Sequence, residues 1–207
     1  MPSPLPVPPD RLDERLDLEG VDFDAFRDQP LDDDALRCLR YMHDVEHHTI
    51  CYLRDVLVTS SHRDPTITTF MTFWLYQEYW HGEALGRVLE AHGEPGTTTR
   101  VPRLRAQLRL HDRLLPLGTM AASALTRHVP AVHMTWGAVN EWTTQAAYMR
   151  LAQLSEHPVL ATLLRRIMRQ EGTHIAFYAA QARERLEASR TARRLTRAAL
   201  RRFWTPV

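Results

Sequence analysis

The sequence lacks lysine, is poor in cysteine and contains no long apolar run. All 26 of its basic residues are arginine, which we attribute to coding bias and not to function. Cys38 and Cys51 lie thirteen residues apart on one predicted helix, roughly 220° around its axis, so they are not expected to form a disulfide. No run of eighteen apolar residues occurs, which argues against a membrane span.

Charge is balanced overall but unevenly distributed. The formal net charge is +1, yet residues 1–35 hold eleven acidic side chains against three arginines, and residues 183–202 hold eight arginines against two glutamates. Neither end has the pattern of a strong nucleic-acid binder. The proline-rich first ten residues lack the basic flank and apolar run of a signal peptide, so we expect a cytoplasmic protein.

Length and hydropathy predict a single helical domain. A chain of 207 residues with 44% hydrophobic content can fill one core without a second domain. We expect residues 1–30 to form an extended, proline-rich and acidic arm that can include a short helix. Residues 31–190 form the predicted core domain, and residues 191–207 form a basic helical tail.

Four stretches carry apolar residues at helical spacing. Acidic residues or prolines mark their starts. The predicted helices run from Asp32 to about Thr59, from Pro65 to just before Gly93, from near Pro130 onwards, and from near His157 with a basic continuation to about Phe203.

The segment between the second and third helices has a weaker pattern. Its length predicts a crossover connection and not a tight hairpin. We expect an amphipathic piece over 104–115, an interruption at Pro116 and Gly118, and a small-residue helix from about Thr119 to Arg127.

A glutamate stands in the apolar stripe of each of the four helices. Burying an unpaired carboxylate costs more free energy than a small domain can spare. Positions three, four and seven residues away on the same helix carry no arginine, although 26 are available, so salt bridges do not explain these residues. Metal ions are the simplest explanation for Glu46, Glu78, Glu141 and Glu171.

Two of these glutamates are followed three residues later by a histidine. On a helix, such a pair meets one metal ion from the same side. Mixed oxygen and nitrogen ligands suit iron or manganese better than structural zinc. We predict a redox-active centre of two iron ions, with an iron/manganese or dimanganese pair as the alternative, bound by Glu46, Glu78, His81, Glu141, Glu171 and His174.

The spacing of the glutamates indicates an internal repeat. Thirty-two residues separate Glu46 from Glu78, and thirty separate Glu141 from Glu171. Each half contains a helix with one glutamate, a turn, and a helix with Glu-x-x-His. Two such pairs joined by a long connection are typical of ferritin-like bundles. The predicted fold class is therefore all-α, a ferritin-like four-helix bundle with a long crossover between helices two and three containing short extra helices.

Other histidines and aromatic residues are interpreted as structural. Near Glu46 we expect solvated or bundle-edge histidines at His43, His47 and His48, with additional metal ligation as the alternative. On the crossover we expect surface histidines at His111, His128 and His133. Aromatic residues at helical spacing are usually packing residues, with electron transfer as the alternative; these are Trp74, Trp136, Trp142, Tyr148 and Tyr178.

The residues around these motifs resemble one known family. The segment from Phe70 to Gly93, which contains the motif at residues 77–85, looks like the second metal helix of the soluble acyl-carrier-protein desaturases, members of the ferritin-like di-iron superfamily. Residues 171–174, followed by Tyr178, are similar to their fourth metal helix. Glu141-Trp-Thr-Thr144 resembles the family's Glu-x-x-Thr, whose threonine lies beside the oxygen-binding side of the cluster. Gln77 and Gln170 stand where relatives often have acidic side chains.

The resemblance implies an oxygen-activating di-iron oxidoreductase of the desaturase or hydroxylase type. Its expected partners are dioxygen, an apolar small-molecule or carrier-bound substrate such as an acyl chain, an electron donor such as ferredoxin, and a second copy in a homodimer. Thr144 is the expected catalytic residue, steering oxygen or a proton. Gly137 and Ala138 leave room for a ligand beside Glu141, which also favours an oxidase.

Two alternatives from other functional classes remain open at this stage. One is a ferroxidase or peroxide scavenger that handles iron and has no organic substrate. The other is a metal-free bundle whose role is interaction.

Overall fold

A computed structural model describes residues 14–205, and over this range the regular secondary structure is entirely helical. The all-α prediction is thereby confirmed, while the first thirteen residues of the predicted arm and the last two of the tail lie outside the described residues. No helix in this range is both long and apolar enough to cross a membrane. The helices are α1 (Ala25–Asp28), α2 (Asp33–Leu57), α3 (Pro65–Ala91), α4 (Thr97–Ala106), α5 (Leu110–Leu125), α6 (Val129–Leu154), α7 (Pro158–Ala188) and α8 (Arg190–Phe203), with a 3-10 turn at Ser60–Arg63.

Side-chain caps explain where the first two long helices begin. Asp32 accepts a hydrogen bond from the Ala35 amide at 2.7 Å, at the start of α2. Asp64 accepts from the amides of Thr66 at 3.0 Å and Ile67 at 3.3 Å, at the start of α3. Each carboxylate satisfies amides that have no partner within the helix and also favours the positive end of the helix dipole.

Helices α2 and α3 are antiparallel neighbours. Near the start of α2, His43 Nε2 lies 3.1 Å from the hydroxyl of Thr97, just beyond the end of α3. Towards the other end, the rings of Tyr52 and Trp74 are 5.8 Å apart in an edge-to-face arrangement. This geometry matches the helix pair expected from the first half of the sequence.

Helices α6 and α7 approach each other so closely that one position requires glycine. A Cβ atom on Gly137 would overlap the ring of Tyr178, which is fully buried. Further along α6, Gln145 Nε2 donates to the carbonyl oxygen of Met168 at 3.2 Å, so this pair also runs antiparallel. The Tyr178 ring occupies the space that a side chain at Gly137 would need, while Gly137 itself also lines a cavity that reaches Glu141.

The crossover contains two short helices, as expected, but its break lies elsewhere. The expected interruption at Pro116 and Gly118 is wrong, since both residues lie inside α5. Pro116 has no N–H to donate to the carbonyl of Asp112 one turn earlier. Arg54 Nη2 donates to that carbonyl at 3.0 Å, which lowers the cost of an internal proline. The break between α4 and α5 instead falls within the piece predicted over 104–115.

The basic continuation of the fourth long helix is a separate helix. Ser189 adopts an extended conformation (φ −147°, ψ 120°), and its hydroxyl accepts from the Ala192 amide at 3.2 Å. This cap starts α8, which buries Ala192 and Thr196 and packs against α6 and α7. Beyond α8, Trp204 Nε1 donates to the side-chain oxygen of Asn140 at 2.9 Å.

Buried apolar side chains form two clusters at different levels of the four long helices. The first cluster includes Leu39, Leu85, Tyr148 and Leu164, and the second includes Met71, Trp74, Met134 and Tyr178. On each long helix, the positions between these levels carry one of the four glutamates. The carboxylates therefore lie between two apolar layers.

The predicted N-terminal arm, over the part described, packs against the helices. Leu16, Leu18 and Phe26 belong to the first apolar cluster. The Phe26 ring stacks on the ring of His157 with centroids 4.4 Å apart. Directly after the arm, the amide of Leu31 donates to His92 Nε2 at 2.9 Å, at the C-terminal end of α3. The arm thus contributes to the core.

We predict that Gly137→Ala lowers the free energy of unfolding by about 1 to 3 kcal/mol, because the new methyl group overpacks the α6–α7 contact. Gly118→Ala is the matched control, since a Cβ there meets no atom within 4 Å. That control should be neutral or stabilising by up to about 1 kcal/mol. Urea denaturation of the metal-free protein measures both changes, and equal effects would contradict the close approach.

His133 is not the surface residue expected from its position. It lies in α6, partly buried, with Nδ1 3.2 Å from the Ser61 hydroxyl. Burial lowers the pKa of His133 from 6.5 to about 4. The folded protein therefore keeps this ring neutral at a pH where the unfolded chain binds a proton.

We predict that His133→Gln reduces the loss of stability on acidification. Because the folded-state pKa is depressed, the contribution of His133 is complete above the unfolded pKa of 6.5 and is lost as pH falls towards about 4. The difference between the two proteins should reach roughly 2 to 3 kcal/mol over that window. Urea denaturation at several pH values checks this, and parallel pH profiles would refute it.

Candidate metal centre

The structure brings together all six residues that the sequence predicts as metal ligands. They form two overlapping groups in which the ligand atoms lie within 4.8 Å of one another. Glu46 and His81 belong to one group, Glu141 and His174 to the other, and Glu78 and Glu171 are shared by both. All six side chains are buried. Each long helix contributes one glutamate, and these buried groups could hold a metal ion.

Each histidine faces carboxylates of other helices. His81 Nδ1 lies 3.1 Å from Glu171 Oε1 and 3.8 Å from Glu46 Oε2. His174 Nδ1 lies 3.0 Å from Glu78 Oε1 and 3.7 Å from Glu141 Oε2. In both halves one imidazole nitrogen is directed at oxygens from two other helices, and His174 Nδ1 also lies 3.3 Å from Glu171 Oε2 of its own helix.

The nitrogen and oxygen atoms around His81 present lone pairs that suit a bound cation. His81 Nε2 lies 2.9 Å from Gln170 Oε1, and because that oxygen can only accept, Nε2 carries the proton. In the neutral ring, Nδ1 then presents a lone pair to the oxygen of Glu171. Among the described residues, His81 Nδ1, Glu171 Oε1 and Glu78 Oε1 are buried and have no hydrogen-bond partner. Such facing acceptors are stabilised by a cation between them.

Burial raises the pKa of two of the carboxyl groups. The pKa of Glu78 lies well above its usual range because of desolvation, and the charges of Glu46 and Glu171 add to the shift. The pKa of Glu141 is raised by desolvation and by the charge of Glu171. Both carboxyls therefore hold protons more tightly in the metal-free chain, and metal binding would release them.

The pKa values of Glu171 and His174 are shifted by the close contact between imidazole and carboxylate groups. Burial opposes ionisation of Glu171, but the imidazoles of His174 and His81 lie close enough to outweigh it and hold the pKa of Glu171 well below its usual range. Burial also disfavours a charged His174 ring, yet the nearby carboxylates of Glu141, Glu171 and Glu78 raise its pKa well above the usual value. In the absence of metal, a protonated His174 supplies part of the positive charge the carboxylates require.

Two aromatic side chains donate hydrogen bonds to the glutamates, in addition to packing. Trp74 Nε1 donates to Glu141 Oε1 at 2.9 Å, and the Tyr148 hydroxyl donates to Glu46 Oε1. Each bond occupies one oxygen of the glutamate from a helix without Glu-x-x-His. The sequence pattern favoured packing for Trp74 and Tyr148, with electron transfer as the alternative, and did not predict these hydrogen bonds, since helical spacing does not reveal a contact across helices.

Two glutamines accept hydrogen bonds from the Nε2 atoms of the histidines, and each glutamine lies on a different helix from its histidine. Gln170 Oε1 pairs with His81 Nε2 as described, and Gln77 Oε1 lies 2.7 Å from His174 Nε2. The signal is visible in the sequence as a repeated Gln-Glu-x-x-His. Such outer hydrogen bonds set the ring orientation and the tautomer of a metal-binding histidine.

His43 and His47 are buried, so the expectation of solvated or bundle-edge residues is wrong for them. Both fit against glycines of α3: a Cβ on Gly82 would lie 2.5 Å from His47 Nε2, and one on Gly86 would lie 3.4 Å from the His43 ring. Within the described part of the chain, neither histidine joins a ligand group. Desolvation, with the charges of His43 and Arg105, lowers the pKa of His47 to about 4.

An apolar cavity of about 480 Å³ lies between α2 and α6 and reaches the site at Glu46. Thr144 lines this cavity together with Glu46. Apolar side chains make up most of the wall, and the exposed Arg37 and Arg150 also contribute to it. The cavity lining includes Tyr41, Met42, Val45, Ala147, Leu151 and Leu154.

A second cavity of about 670 Å³ is more polar and touches three of the ligand carboxylates. Thr144 lines this cavity too, so its side chain stands where both cavities meet Glu46. Acidic residues that are not ligands also line it, namely Asp44, Asp55 and Asp112. The centre is thus reached from one apolar and one acidic side.

Comparisons with protein-family models, with curated proteins and with solved structures found no significant match. What the chain is must therefore be argued from its own residues. Fold and site together define an all-helical protein with a buried carboxylate–histidine cluster able to hold metal.

We predict that Glu171→Ala abolishes loading of both metal positions, because this carboxylate belongs to both ligand groups. Its effect on metal affinity should exceed the roughly 10- to 100-fold typical of outer hydrogen-bond partners. Glu184→Ala, an exposed glutamate of the same helix, is the matched control and should load normally. Elemental analysis after anaerobic addition of ferrous iron measures this; a Glu171→Ala protein with two irons per chain would disprove the assignment.

Proposed function

We propose that this chain is a ferritin-like di-iron carboxylate protein that uses dioxygen to oxidise an apolar substrate, by desaturation or hydroxylation. The observation that carries the proposal is the apolar cavity that ends at Glu46 and Thr144, beside six buried residues with the ligand chemistry of a di-iron centre. The resemblance of the Glu-x-x-His and Glu-x-x-Thr segments to the soluble acyl-carrier-protein desaturases supports the same function.

Glu46, Glu78, His81, Glu141, Glu171 and His174 would hold two iron ions. Bound there, the metal would pass electrons to dioxygen and supply the oxidising power needed to remove hydrogen from an unactivated C–H bond. Desaturation balances if the substrate gives up two electrons and two protons, two molecules of a one-electron donor such as reduced ferredoxin supply two more electrons, and solvent supplies two protons. One dioxygen then becomes two waters. The protein supplies ligands, orientation and exclusion of water.

The surrounding side chains suit these tasks. Gln77 and Gln170 hold the two imidazoles so that Nδ1 faces the carboxylates. The Tyr148 hydroxyl and the Trp74 indole N–H each fix one glutamate oxygen. Thr144 is the proposed catalytic residue, because its hydroxyl can hold or pass a proton where substrate and ligand meet. The apolar layers on either side would limit access of bulk water to the reacting atoms from those two directions.

The cavity supports a small or medium-sized apolar substrate. A volume of about 480 Å³ falls within the common range for small-molecule sites. The lining arginines, Arg37 and Arg150, could pair with an anionic end of a substrate while its apolar part faces the centre. A medium-chain acyl group has this chemistry.

Iron oxidation without an organic substrate is the second candidate. The observation that favours it is the second cavity, which touches three of the proposed ligand carboxylates and is also lined by Asp44, Asp55 and Asp112. Arg100 pairs with Asp44 and Arg54 with Asp55, so attraction of ferrous ions would depend mainly on the ligand carboxylates themselves. The two candidates differ in what limits oxygen consumption: added iron for a ferroxidase, and added substrate with reductant for an oxidase.

The experiment loads the metal-free chain with ferrous iron under anaerobic conditions and then adds oxygen. Decanoic acid, decane and the decanoyl thioester of acyl carrier protein serve as apolar probes, with reduced ferredoxin as donor. We expect oxygen consumption to continue beyond oxidation of the loaded iron only with donor and probe together. Mass spectrometry should detect an unsaturated or hydroxylated product.

Filling the apolar cavity tests its role directly. Ala147→Phe should lower product formation at least about tenfold while iron loading stays normal, since the new ring occupies the space beside Thr144. Ala146→Phe, at the exposed neighbouring position, is the matched control and should retain activity. Oxygen consumption that follows added iron alone, with every probe unchanged, would support the ferroxidase instead.

A further inference from the structure

The side-chain amides of Gln77 and Gln170 both donate to one backbone oxygen of the N-terminal arm. Gln77 Nε2 donates to the carbonyl oxygen of Glu14 at 3.2 Å, and Gln170 Nε2 donates to that oxygen at 2.8 Å. A carbonyl oxygen has two lone pairs and can accept both bonds. One atom of the N-terminal arm is therefore connected, through two amide side chains, to His174 and His81.

These contacts make a continuous, polarised chain on each side. Each imidazole Nε2–H donates to a glutamine oxygen, and the nitrogen of that amide donates to Glu14. Since the amide oxygen only accepts and the amide nitrogen only donates, the position of the Glu14 carbonyl determines which way each glutamine points. A flipped amide would direct its nitrogen at the imidazole N–H and leave Nε2 without an acceptor.

The arm is held in place by contacts separate from the glutamines. Arg166 Nη1 donates to the carbonyl oxygens of Asp17 and Glu19, both at 2.8 Å. The Leu16 side chain is buried in the first apolar cluster. The Arg15 guanidinium lies 4.3 Å from the centroid of the Trp80 ring. Docking of the arm therefore has its own stabilising interactions, which can be changed without altering Gln77 or Gln170.

We propose that the arm segment 14–19 is a shared positioning element for both histidines of the metal centre, acting through Gln77 and Gln170 on the Glu14 carbonyl. When the arm is docked, both amides are locked and both Nδ1 atoms face the carboxylates. When it detaches, both histidines lose their fixed orientation together. The inference requires metal binding at the six residues, and it holds whether or not oxygen chemistry follows.

Three variants of the full chain distinguish the histidine–glutamine contact, the glutamine–Glu14 contact and the docking of the arm. Gln170→Leu removes the contact to His81 and the contact to Glu14. Gln170→Glu keeps an acceptor for His81 Nε2–H but replaces the donor to Glu14 with a second acceptor. Arg166→Ala loosens the arm and touches neither glutamine. Arg165→Ala is the matched control, because among residues 14–205 the hydrogen bond of that exposed side chain stays within its own helix, to Thr162 at 3.1 Å.

Two measurements do not depend on turnover. Hydrogen exchange of the imidazole Nε2–H protons, followed by NMR on the chain labelled at histidine, reports the outer bond of each ring. Titration with cobalt(II) reports affinity through its visible absorption, which is sensitive to ligand geometry. Amide exchange of residues 16–19 monitors arm docking in parallel.

For Gln170→Leu we expect fast exchange at His81 and a loss of cobalt affinity of about 10- to 100-fold. Gln170→Glu should keep the His81 proton protected while arm exchange increases. If this variant behaves like Gln170→Leu at His81, or leaves arm exchange unchanged, the proposed link is wrong.

Arg166→Ala carries the main test. It should speed exchange of the His81 and His174 Nε2–H protons by similar factors and lower cobalt affinity, whereas Arg165→Ala should match the parent protein. Faster arm exchange with both ring protons and cobalt affinity unchanged would overturn the proposal. A change confined to one histidine would overturn the shared role of Glu14.

Discussion

The rest of the site depends on one constraint, which is the burial of four carboxylates between two apolar layers. Charges in such surroundings need positive partners, and no arginine side chain forms an ion pair with these glutamates among the described residues. Without metal, protons on Glu78 and Glu141 and a charged His174 lower the cost. Metal ions would replace these protons with charges in fixed positions, which is why the arrangement suits metal binding better than a stable metal-free core.

The two halves of the chain contribute equivalent parts, but they are not independent. The supporting bonds cross between halves, because Gln77 of the first half holds His174 of the second, and Gln170 holds His81. Neither half could therefore orient its own histidine ligand. The docked arm adds a third segment to this arrangement, since the Glu14 carbonyl accepts from both glutamines. The orientation of the two histidines therefore depends on correct packing of both halves and of the arm.

Sequence reasoning succeeded where the relevant physics is local. Helical periodicity and caps such as Asp64 located the long helices, and the Glu-x-x-His spacing identified side chains that the structure brings together. It failed where a distant partner decides the outcome. Pro116 lies inside a helix although it cannot donate a hydrogen bond to the carbonyl of Asp112. The Arg54 side chain donates to that carbonyl instead. His47 is buried because Gly82, on the facing helix, leaves space for its ring.

The sequence by itself determined the helical class, the four glutamates in apolar stripes and the two histidines three residues after two of them, because spacing along one helix decides which side chains share a face. Only the tertiary structure decided how the helices face one another. That relative placement put the Tyr178 ring into the space at Gly137, joined Tyr148 to Glu46 and opened the apolar cavity at Thr144. These contacts link residues far apart in the chain, and their geometry depends on side-chain packing, which a periodic pattern does not contain.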